Sequence, residues 1–140
     1  TVTASGIVTP SGTFTVSWSG ASGGTNNAIS NYQIYWKVSS DGSAPTTSSY
    51  TGTKNITSTS TSGSTSITLS SAQRGYKVVC GIMTLGTAGE NYYSGIKTGG
   101  SVKINLLPAK PTVVSTNTTV VSTSGTEVIF NVMTGSDSDG

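Results

Sequence analysis

Apolar and polar residues alternate along most of this chain with a period of two, the signature of strands that bury one face. The clearest run starts at Tyr76, where Tyr76, Val78, Cys80 and Ile82 fall on one face and Lys77, Val79, Gly81 and Met83 on the other. Phe14, Val16 and Trp18 alternate with Thr13, Thr15, Ser17 and Ser19, which gives one apolar face and one hydroxyl face and puts Trp18 at the centre of a core. Over 29–38, Tyr32, Ile34, Trp36 and Val38 face one way and Gln33, Tyr35 and Lys37 the other; Val102, Ile104 and Leu106 repeat the pattern in the last strand of a unit. Residues 1–8 read as a weaker first strand, closed by the turn signal Pro10-Ser11-Gly12. Asp41-Gly42 is a turn and Pro45 forbids a central strand, so Tyr50–Ile56 is expected as a short edge strand. The low-complexity run 57–68 suits an exposed edge, with Ile67 and Leu69 as its buried end.

No helical periodicity interrupts these runs, and about seven short strands separated by turn signals predict an all-β, immunoglobulin-like antiparallel sandwich over residues 1–107. Between Leu69 and Tyr76, the small polar residues of 70–75 form a corner from one sheet to the other. A tyrosine at such a corner is expected to bury its ring and return its hydroxyl to the backbone, here within 69–73. Tyr32, Trp36 and Cys80 join Trp18, Leu69 and Tyr76 as expected core residues.

At these positions the chain resembles the fibronectin type III domain. The likeness rests on Trp18 in the second strand, Ile29 with Tyr32 opening the third, Leu69 with Tyr76 at the corner, and Gly86 to Ser94 before the last strand. It departs from that family's pattern at the start, which lacks a proline-rich lead-in, and in the long stretch 39–66. No Arg-Gly-Asp is present, so the integrin-binding role of some members does not carry over. Pro108 and Pro111 mark residues 108–111 as an extended linker. Beyond it, 113–121 and 127–133 read as the first strands of a partial second immunoglobulin-like module or assembly segment, 112–140. The second of these is apolar on both sides, which suits burial between layers or strand addition to a neighbouring copy. A type III-like unit followed by such a module is similar to tandem units of tailed-phage virion proteins and bacterial surface proteins.

Composition narrows the function classes. Only 9% of residues are charged and the formal net charge is +2, with lysines and arginines scattered singly, so no nucleic-acid footprint is present. No apolar run is long enough to span a bilayer. Serine, threonine and 18 glycines make the chain polar without charge, which favours virion or extracellular, cell-surface β-structure. There is no histidine, which removes Ser-His-Asp and Cys-His chemistry and the commonest metal ligand. The carboxylates Asp41, Glu90, Glu127, Asp137 and Asp139 form no spaced acid/base pair. No cofactor is implied. Asp137 and Asp139, in Asp137-Ser138-Asp139-Gly140, resemble the start of a calcium loop but also read as a polar turn. Cys80, the single cysteine, lies on the inward phase of its strand and reads as a buried, inert hydrophobe. Tyr92 and Tyr93 stand beside Asn91 and Glu90 in a loop, where aromatic rings stack on sugars or anchor the loop to the sandwich. Asn55 and Asn117 fit the N-glycosylation acceptor pattern.

Two functions of different classes fit this pattern. One is a non-enzymatic structural module of a phage virion or fibre-like surface assembly, partnered by its own copies or other virion or surface proteins. The other is a glycan-binding adhesin module that uses Tyr92 and Tyr93. An accessory domain of a secreted polysaccharide hydrolase is a third class, and it requires a catalytic domain elsewhere in the parent gene.

Overall fold

The alternating runs pair into three sheets in this computed structural model, which describes residues 1–4, 6–87 and 94–106 together with the backbone of 112–116 and 130–133. Contacts divide the chain into two units, Thr1–Asn105 and Leu106–Gly140. In the first unit the strands are β1 (Val2–Thr3), β2 (Ile7–Val8), β3 (Thr13–Trp18), β4 (Ile29–Ser39), β5 (Gly52–Thr57), β6 (Gly63–Thr68), β7 (Lys77–Gly86) and β8 (Lys97–Ile104). A three-stranded sheet in the order β1-β3-β6 faces a five-stranded sheet in the order β2-β8-β7-β4-β5. The unit is an immunoglobulin-like all-β sandwich.

The inward phases meet between the sheets. Val16, Tyr32, Ile34, Val78, Cys80 and Ile104 are wholly buried, with Trp18, Ile67 and Leu69 nearly so. Each large apolar side chain removed from water in this way contributes roughly 1.5–3 kcal/mol. Trp36 lies on the expected face but only half-buried, because β5 beside it is the edge of its sheet. Its indole occupies the space where a side chain at Gly52 would stand: a Cβ there would lie 2.6 Å from Trp36 Cε2. The same device recurs across the sandwich, where a Cβ at Gly63 would lie 2.6 Å from Trp18 Cζ2. Gly52 opens β5 opposite Trp36 and Gly63 opens β6 opposite Trp18, so each edge strand begins with a glycine roofed by a tryptophan.

Three expectations are corrected. Residues 1–8 are not one strand: β1 pairs antiparallel with β3, and β2 pairs in parallel with β8 in the opposite sheet. The cause lies in β8, where the register with β7 slips between Val79 and Gly81 and Gly100 takes a φ of +76°. A Cβ at Gly100 would lie 2.6 Å from the Thr3 carbonyl carbon, so the N-terminal backbone passes through a notch that only glycine leaves open. Leu106 is not part of the last strand's alternation; β8 ends at Ile104 and Leu106 is exposed.

Tyr76 is half-buried against the core, and its hydroxyl has no hydrogen-bond partner among the described residues. The corner is closed by backbone instead. Gly75 N donates to Ile104 O at 2.9 Å, Ile104 N to Tyr76 O at 2.8 Å and Tyr76 N to Gln73 O at 3.2 Å, while Arg74 Nη1 donates to Asn105 O at 3.1 Å. The hydroxyl-to-backbone device belongs to Tyr32, whose phenol donates to Ser60 O in the connection between β5 and β6.

In the second unit β9 (Thr112–Thr116) and β10 (Phe130–Met133) pair antiparallel, with an irregularity between Asn131 and Val132. The linker 108–111 and the rest of the expected strands lie outside the described residues.

Candidate functional site

Two troughs of about 330 Å³ each lie side by side at one pole of the sandwich and share Ser22, Thr84 and Ser94. Their walls follow from the strand ends. The connection from β3 to β4, residues 19–28, is too rich in glycine and asparagine to pack, so it folds on itself: Gly24 N donates to Asn27 O at 2.9 Å and Asn27 N to Gly24 O at 3.1 Å. Opposite, Ser94 receives Thr84 N on its hydroxyl at 2.9 Å and passes its own proton to Gly95 O at 2.8 Å, which holds the start of β8 against the end of β7. Ser30 occupies the irregularity between β4 and β7 and donates to Leu85 O at 3.1 Å.

The floor of the second trough is the end of the core. Trp18 and Tyr32 form it, with ring centroids 5.1 Å apart and planes tilted by 48°. Both rings are buried, yet Trp18 Nε1 has no hydrogen-bond partner. An N–H without an acceptor in such a place costs about 1–3 kcal/mol. Thr1, Ser19, Ser22 and Thr84 add hydroxyls to the wall, and among the described residues Lys97 is its one charged side chain, with the Thr1 ammonium nearby donating to Ser19 O.

The expected binding residues Tyr92 and Tyr93 fall between Thr87 and Ser94, outside the described residues, as do Asp137, Asp139 and Asn117. Asn55 is exposed on the edge strand β5. Asp41 stands at the opposite pole, exposed, with its carboxylate accepting from Ser43 N at 3.0 Å; that bond holds its pKa below the usual carboxylate value. Cys80 is wholly buried and unpaired, and burial pushes its thiol up to about 12. Among the described residues no three of His, Cys, Asp and Glu come together as a metal site.

A second apolar cluster went unread in the sequence. Tyr35 and Met83, on the outer face of the five-stranded sheet, are as buried as the core. Tyr50 meets Tyr35 edge to face, with centroids 5.4 Å apart. Pro45, also buried, and Ile96 converge on Gly81, where a Cβ would lie 2.5 Å from Ile96 Cγ2. Residues 40–51 thus fold over the sheet, and the signal for this was the apolar character of Tyr35, Val79, Met83 and Leu85 on the nominally outward phase. The trough itself had no such signal, because its residues come from four separate stretches of chain.

No protein-family model matches this sequence, and a search of curated proteins returns no significant match.

Proposed function

We propose that the chain is a non-enzymatic spacer: a fibronectin type III-like unit joined to a second β module in a phage virion or a fibre-like surface assembly. The observation that carries this reading is how the chain threads the first unit. Thr1 O accepts from Ser19 N at 3.0 Å at the pole where β3 ends, whereas Asn105 leaves at the other pole, beside Arg74 and Gly75. The eight residues of β8 between those poles cover about 25 Å. A unit whose chain runs from one pole to the other transmits a pull along its length.

The strand order supports the type III reading, since β5 joins the sheet of β4 rather than extending the sheet of β6 as in constant-type immunoglobulin domains. The β9–β10 ribbon supports assembly, because the two strands it contains among the described residues are marginal in water by themselves and gain from further strands, such as those of another copy or another subunit. The test is proteomics of intact virions and sheared surface fibres from the source organism. Peptides from both units should co-purify with one of these in a fixed ratio to its main structural protein. Recovery only from soluble fractions, or next to a catalytic domain in the same polypeptide, overturns the reading.

A further inference from the structure

We propose that the outer face of the five-stranded sheet, where Lys37, Lys77 and Lys103 converge, receives the acidic second unit of another copy of this chain. The inference rests on the reading of the chain as an assembly unit and goes further by naming the partner and the face that meets it.

The lysines stand singly in the sequence, but strand register gathers them. Val78, Val102 and Ile104 are buried between the sheets, so Lys77 and Lys103 lie on the outer face, and both are exposed. The two are direct cross-strand partners of β7 and β8. Lys103 N donates to Gly6 O at 3.2 Å, on the side away from β7, so the pair is of the non-hydrogen-bonded kind, with Cβ atoms roughly 4.5–5.5 Å apart. Like charges set opposite each other in this way are destabilising. Neither ammonium has a hydrogen bond or ion pair among the described residues.

Lys37 stands one diagonal away, on β4 opposite Val79. Its ammonium donates to Ser49 Oγ at 3.1 Å and keeps two further donors. Arg74 adds a fourth cation at the same end of these strands, held there by Asn105 O. The described carboxylate near this face is Asp41, in the turn after β4; it accepts from Ser43 N and pairs with none of the four cations. An anionic surface laid over this face relieves the repulsion between Lys77 and Lys103.

Charge complementarity supplies the partner. Over the whole sequence, Thr1–Asn105 carries six cationic side chains and two carboxylates, whereas Leu106–Gly140 carries one and three. The units thus have side-chain charges of +4 and −2, and the modest total of +2 conceals a chain that is basic in one part and acidic in the other. Glu127, Asp137 and Asp139 are the carboxylates of the second unit. A contact between unlike faces of successive copies leaves one unused face at each end, so it extends into a ring or an open fibre rather than stopping at a dimer.

The experiment is sedimentation of the full chain at rising salt. The parent should self-associate, and the association should weaken at least about tenfold between about 0.05 M and about 0.5 M NaCl, because exposed charges are screened. Lys77→Glu/Lys103→Glu should abolish it, and so should Glu127→Lys/Asp137→Lys/Asp139→Lys. A mixture of those two variants restores opposite charges across the contact and should assemble again. Lys77→Gln/Lys103→Gln should remove most of the salt dependence without reversing any charge, whereas Lys97→Glu, at the other end of β8, should leave association unchanged. The proposal is overturned by a parent chain that stays monomeric, by association indifferent to salt, as strand addition alone would be, or by a mixture that fails to assemble. A loss that follows Lys97 as much as Lys77 and Lys103 also overturns it, since that would mean diffuse charge attraction. Recovery of the chain with virions or fibres is a separate measurement and would stand if this contact failed.

Discussion

The two flanks of the sandwich are closed by different means. On one flank the chain does the closing: residues 1–8 give two residues to β3 in one sheet and two to β8 in the other, so backbone hydrogen bonds stitch the layers together. On the other flank β5 and β6 are free edges and side chains do the closing. Trp36 and Trp18 roof the glycines that open those strands, and Tyr32 ties down Ser60 in the connection between them. Lys54 lies on the inward phase of β5 opposite Ile34, and its ammonium crosses to Ser66 O of β6 at 2.9 Å. An inward-pointing lysine is also a defence of an edge, since any strand added there would have to bury its charge. The stitched flank is therefore sensitive to backbone conformation, and the open flank to the identity of a few side chains.

The sharpest test of the open flank is Trp18→Ala, which removes a core ring, the roof over Gly63 and the partner of Tyr32. It should cost roughly 3–5 kcal/mol in chemical denaturation. A loss under about 1 kcal/mol would mean that the flank is not held by its tryptophans. On the stitched flank, Gly100→Ala places a Cβ against the Thr3 backbone at a positive φ and should cost about 3 kcal/mol, with residues 1–8 losing amide-exchange protection first. Uniform loss of protection would place the weakness elsewhere.

Cys80, at the centre, gives a reference that belongs to neither flank. Its folded pKa is raised, so its contribution to stability is complete below the unfolded thiol's pKa and declines as pH rises from there towards 12, by up to about 1.4 kcal/mol per pH unit. Cys80→Ala should flatten that part of the alkaline stability profile, and a thiol reagent should label the native protein only as fast as it unfolds. Rapid native labelling would put Cys80 on the wrong face of β7. Tyr32→Phe should cost about 1–2 kcal/mol by leaving Ser60 O without its donor, whereas Tyr76→Phe should change the denaturation midpoint little. Equal costs would restore the corner role to Tyr76. The smallest stability effect belongs to Lys54→Met, within about 0.5 kcal/mol, since an exposed lysine contributes little by its bond. Its readout is assembly: the variant should self-associate more strongly in sedimentation than the parent chain. A variant that associates no more than the parent would mean that Lys54 does not guard the edge.

Most of the first unit could be read from alternation alone, because a period of two is local and each strand carries its own record of which face is buried. Phe14, Val16 and Trp18, then Tyr32 and Ile34, then Val78, Cys80 and Ile82 fall inward for that reason. The corner between Leu69 and Tyr76 was legible from its small polar residues, but the partner of a hydroxyl was not, since that depends on which carbonyl three-dimensional pairing leaves free. Tyr32 reaches a carbonyl at Ser60, 28 residues away, whereas the Tyr76 hydroxyl makes no hydrogen bond among the described residues.

The candidate site was hidden for the same reason on a larger scale. Its lining comes from Thr1, 18–32, 82–86 and 94–97, stretches that share no motif and meet only because strands β1, β3, β7 and β8 end at one pole. The sheet switch within residues 1–8 has a similar origin. It depends on a notch at Gly99 and Gly100, some ninety positions along the chain, and the alternation of eight residues carries no trace of it. Periodicity reports the environment of a side chain relative to its own strand. Edges, notches and clefts are relations between strands, and they exist only once the sheets have packed.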